Sequence, residues 1–102
     1  MANPWRGEVA LVVNGERRTA RLTLGALAEL EADLACGSLV ELVERFEQGR
    51  HSARDVLAVI VAGLRGGGAE LPAADLLSAE IEGGPLAARA AAAELLVRAF
   101  AL

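Results

Sequence analysis

Residue types able to carry chemistry are scarce in this chain of 102 residues, which holds one His (His51), one Cys (Cys36), no Tyr and no Lys. Covalent catalysis needs a nucleophile held beside a base, and no GxSxG, HExxH or CxxC spacing supplies one. His51 immediately precedes Ser52, a helix-capping residue, and reads as a hydrated loop residue with no second metal ligand near it in sequence. Cys36, ahead of Gly37 at a helix end, reads as a small apolar filler. The run Gly66-Gly67-Gly68 invites a phosphate-loop reading, but such a loop precedes a helix and carries Gly-Lys-Ser/Thr, whereas these glycines follow a helical stretch. They read as a helix stop. The expectation is no catalytic residue, no cofactor and no metal. What remains is a cluster of Arg17, Arg18 and Arg21, suited to phosphates or to a partner's carboxylates and equally to a solvated strand face whose charges discourage edge aggregation.

The charge distribution narrows the partners. Net charge is −4, with four arginines against two glutamates in residues 1–28 and six arginines against twelve acids in residues 29–102. Nucleic-acid grooves show as clustered positive charge, which this pattern lacks, so no nucleic-acid partner is expected. All ten basic residues are Arg, a bias that together with the abundant Ala reads as the codon composition of a GC-rich bacterial genome. A lone Cys excludes an internal disulfide and fits a reducing cytoplasm. The opening Met1-Ala2-Asn3-Pro4-Trp5-Arg6 lacks the apolar core of a signal peptide, so a cytoplasmic location is expected.

The elements that must position these residues form one domain, 1–102, because a chain this long holds a single core. Its centre is the stretch 52–65, with no polar side chain between Val56 and Leu64. A helix there is apolar on every side and belongs in the interior, wrapped by its own chain. It falls well short of the roughly 20 residues a bilayer span needs, so no membrane partner is expected. Ser52 and Asp55 give it a capping-box start.

Around it, two alternating runs flank Asn14-Gly15, the commonest two-residue type I′ turn, and predict a β-hairpin over 8–24. That turn pairs Glu8 with Arg21 and puts Val9, Leu11, Val13, Ala20, Leu22 and Leu24 on one face, with Glu8, Arg17, Thr19, Arg21 and Thr23 on the other. A lone hairpin is marginal, so its apolar face must lie on helices, and two open edges are left for another chain. Helices are expected over 24–35 with Thr23 as cap, 38–48 with Ser38 as cap, 52–65, 72–82, and 85–101 after Gly83-Gly84-Pro85. The predicted class is α+β: an N-terminal two-stranded antiparallel β-hairpin packed on a bundle of about five helices, mostly α.

The last helix carries more apolar surface than a terminal helix needs. Leu86, Ala90, Ala93, Val97 and Phe100 make one face, and Ala88, Ala91, Ala92, Leu95, Ala99 and Leu102 make another nearly opposite. The second of these is either alanine-smooth surface or a docking site. Candidate partner-binding residues are accordingly Leu95, Ala99 and Leu102, with Arg17, Arg18 and Arg21 on the hairpin. A homo-oligomer is compatible with the same features.

Three pieces in order resemble a known family: Arg21-Leu22-Thr23-Leu24-Gly25-Ala26-Leu27-Ala28-Glu29-Leu30-Glu31 after an Asn-Gly hairpin, Phe46-Glu47-Gln48-Gly49-Arg50 leading through Ser52-Ala53-Arg54-Asp55 to Leu64-Arg65-Gly66-Gly67-Gly68, and Glu82-Gly83-Gly84 before an Ala-rich terminal helix. They are similar to the small tail assembly chaperones of gene transfer agents and related phages, and the likeness covers nearly the whole chain. The resemblance implies a non-enzymatic protein that binds the tape-measure protein, and tail-tube protein with it, during tail morphogenesis. Some members of the family have instead been described as tail-tube proteins, and a structural tail-tube or minor tail component is the alternative. The chain is short for a tube subunit, which typically builds rings from a substantial β-sandwich, and this favours the chaperone expectation. A small DNA-binding regulator is a second alternative, opposed by a helix at 52–65 too apolar to present polar side chains to base edges.

Overall fold

The computed structural model describes residues 7–33, 38–69 and 78–100, in which the chain forms a hairpin and four helices. Strands β1 (Glu8–Val13) and β2 (Glu16–Arg21) pair antiparallel, Glu8 opposite Arg21 and Val13 opposite Glu16. The register is the one the turn dictates, because Asn14 (φ 51°) and Gly15 (φ 79°) both take the left-handed conformation of a type I′ turn. Val9, Leu11, Val13, Ala20 and Leu22 point inward and are buried. Leu24 departs from the expected face: it begins the first helix instead of extending the strand, and it is exposed.

Helix α1 (Leu24–Asp33) starts where the Thr23 hydroxyl accepts from the Ala26 amide, at 3.1 Å, and it buries Ala26 and Leu30. In α2 (Leu39–Glu47), Ser38 accepts from the Glu41 amide, and only Leu42 is fully buried. The central α3 (Ala53–Gly66) opens on a complete capping box, with the Asp55 amide donating to the Ser52 hydroxyl and the Ser52 amide to the Asp55 carboxylate. Residues 59–64 are all buried, packed on β2, α1 and the terminal helix α4 (Gly84–Phe100). The wrapping is incomplete at the other end: Val56, Leu57 and Ala58 are only half-buried.

The expected helix over 72–82 does not extend through its described part. Residues 72–77 of it lie outside the described segments, and from Ser78 to Glu82 the chain is not helical. Ile81 bridges Val13 in antiparallel fashion, with the Asn14 amide donating to the Glu80 carbonyl at 2.7 Å and the Glu82 amide to the Val12 carbonyl at 3.0 Å. The Asn14 side chain accepts from the Glu80 amide as well. Residues 80–82 thus add a rudimentary third strand to the hairpin, and the physical reason is that hydrogen bonding to β1's outer edge satisfies backbone groups that water would otherwise have to satisfy.

Parts of both hairpin edges are therefore covered by the chain itself, where two open edges were expected. At the far end of β1 the Arg98 guanidinium donates to the Glu8 carbonyl. On β2, the residues next to the turn exchange hydrogen bonds with β1, so the carbonyls of Thr19 and Arg21 point away from it. These carbonyls lie against Gly67 and Gly66: a Cβ on Gly66 would collide with the Arg21 oxygen, and one on Gly67 with the Thr19 oxygen. Gly67 has an ordinary φ of −83°. Two of the three glycines are thus required for backbone-to-backbone approach, and only Gly68, at φ 100°, has the left-handed conformation of a helix stop.

Candidate interaction surface

Side chains with chemical potential are spread out, and most are committed to structure. Asp55, the one buried charged residue among those described, takes its cap bond and an ion pair from Arg45 on α2 at 2.8 Å. His51 is not the hydrated loop residue expected. It is half-buried and stacked on Phe46, ring centres 4.5 Å apart and planes 10° from parallel. Together these two contacts hold α2 against the start of α3. Among the described residues no group of three His, Cys, Asp or Glu side chains converges as a metal site would require. Cys36 lies outside them.

The arginines do not form one patch. A strand alternates its side chains, so Arg17 and Arg21 share the outward face while Arg18 points to the other side, opposite Leu11. Arg18 ion-pairs with Glu16 at 2.9 Å on the surface, a contact worth well under about 1 kcal/mol. Arg17 is exposed and Arg21 half-buried.

On α4 the assignment of faces is the reverse of the one expected. Leu95 is fully buried, its side chain filling the space over Gly63 of α3, and Ala88, Ala91, Ala92 and Leu96 are buried beside it. Ala99 is half-buried against the same core, and Leu102 lies outside the described residues. Leu95 is thus a core residue, and the surface is made by the other set: Leu86, Val97 and Phe100 are 74, 64 and 46 % exposed. Alanine explains the misreading. A helix so rich in it offers two nearly equal apolar faces, and which one is buried is decided by the elements that cross it. The deciding signal was Gly63, whose missing side chain admits a large residue from a neighbouring helix.

Next to this exposed stripe lies a groove of about 380 Å³ between α2 and α4, lined by Val43, Phe46, Glu47, Ala93, Leu96, Val97 and Phe100. Val40 on α2 is also largely exposed. Exposed apolar side chains of α2 and α4 thus border this groove, with acidic Glu47 among its lining residues.

The fold and this surface define a small α+β domain with an exposed apolar face on its terminal helix. The chain belongs to the family described as phage tail tube protein, GTA-gp10, whose profile matches residues 6–102. No curated protein and no solved structure matches it significantly. The protein is thus of phage-tail or gene-transfer-agent type, and the family's description fits the tail-tube alternative better than the assembly chaperone. Among the described residues no helix is long and apolar enough to cross a membrane.

Proposed function

We propose that this chain is a non-enzymatic structural component of the tail of a gene transfer agent or prophage, assembled in the bacterial cytoplasm through contacts with other tail proteins. The observation that carries this reading is the family match over residues 6–102, and the exposed apolar face of α4 supports it. Mass spectrometry of purified particles tests it: the chain is expected in stoichiometric amount beside the major tail proteins, and its absence from mature tails removes the structural reading.

A second reading, assembly chaperone for the tape-measure protein, is supported by one feature of the fold. Among the described residues the sheet consists of two strands and a single bridge, little with which to build a tube wall. Its own outcome is distinct: co-expression keeps the tape-measure protein soluble while the chain is missing from finished particles.

A further inference from the structure

Leu86, Ala90, Ala93, Val97 and Phe100 are spaced four, three, four and three residues apart, which is the a/d repeat of a coiled-coil seam carried through two heptads. The helix does not need this seam for its own fold, since the opposite face is already buried against α3 and the hairpin. We propose that the seam packs against the same helix of a second copy, antiparallel about a two-fold axis, to give a homodimer. This goes beyond the tail assignment and does not depend on whether the chain stays in the finished tail.

Side-chain size and charge both fit that occupant. Antiparallel packing sets a positions against d positions, so Leu86 meets the partner's Val97 and Ala90 meets the partner's Ala93. Large residues then meet at the outer layers, and alanines at the centre let the two backbones approach closely. One step further along, Phe100 passes the end of the partner's helix, which begins at Gly84. In such a pair like flanks face each other. Arg89 and Leu96 share the flank on the α2 side, which brings Arg89 over the partner's Leu96, a wall of the groove that Glu47 also lines. Arg89 and Glu47 are both exposed, and symmetry makes this charge pairing twice. On the other flank Glu94 meets the partner's Ala87, so no like charges are opposed.

A seam of two heptads with its groove lies near or below the low end of stable interfaces, about 1,200 Å², so a dissociation constant of roughly 1–100 µM is expected. Analytical ultracentrifugation of the full chain tests this. Expected are a concentration-dependent dimer in that range and a monomer for Val97→Asp with an unchanged circular dichroism spectrum. Arg89→Glu is expected to weaken the dimer several-fold, and adding Glu47→Arg to restore it. The charge swap keeps the test decisive even if Val97→Asp disturbs folding. The proposal is overturned by a chain that stays monomeric throughout, by a dimer indifferent to Val97→Asp in a folded chain, by a charge swap without recovery, or by a monomer that uses this face for a different tail protein.

Discussion

Helices α3 and α4 carry the same kind of sequence and meet different fates. Both are apolar nearly all round, α3 through Val, Ile and Leu and α4 through Ala. Yet residues 59–64 of α3 are enclosed on every side by β2, α1 and α4, whereas α4 packs on α3 and the hairpin and leaves Leu86, Val97 and Phe100 in water. All-round hydrophobicity therefore does not by itself place a helix inside. The number of elements that cross it does, and a small chain runs out of elements to cross its last helix.

The sharpest test of this contrast is Leu95→Asp, which places an unpaired carboxylate between α4 and Gly63. It is expected to cost about 4 kcal/mol or more, a large fraction of a total stability of order 5–15 kcal/mol, read as a strongly lowered urea midpoint. A stable, fully folded variant would mean that the buried and exposed faces of α4 are interchangeable. Next in size is Gly66→Ala. The new methyl group meets the Arg21 carbonyl, and a loss of roughly 3 kcal/mol in unfolding free energy, read from the lowered urea midpoint, is expected, though alanine is the better helix former. Asp55→Ala removes the carboxylate half of the capping box, the acceptor of the Ser52 amide, and strands Arg45, for about 2 kcal/mol. Smallest is Val97→Asp, on the exposed face of α4, expected to change thermal stability of the monomer by less than about 0.5 kcal/mol.

How much of this was legible in the residues depends on how local the deciding interaction is. The hairpin register followed from Asn14-Gly15 alone, and the starts of α1, α2 and α3 from Thr23, Ser38 and Ser52, because turns and caps are settled within four residues. The extended run of residues 80–82 was not legible: Leu76, Leu77 and Ile81 carry a helical spacing, and the pairing that overrides it lies some 66 residues away, between Glu80 and Asn14. The glycines at the end of α3 stop the helix as expected, but the approach of Gly66 and Gly67 to the β2 carbonyls was hidden for the same reason, since those neighbours are distant in sequence. For the candidate surface, the terminal helix was correctly singled out as having apolar area to spare. The choice of face, Leu95 and Ala99 over Val97 and Phe100, failed because alanine gives no contrast between sides.

The closing of the hairpin by Glu80, Glu82 and Arg98 has a consequence for synthesis. The β-turn forms in microseconds, but Glu80 and Arg98, which seal its flank, follow Asn14 and Glu8 in translation by 66 and 90 residues. Until those residues emerge the nascent polypeptide carries a finished turn with a bare ladder, and their arrival covers the groups at Glu8, Val12 and Asn14 that a stray strand could otherwise bond.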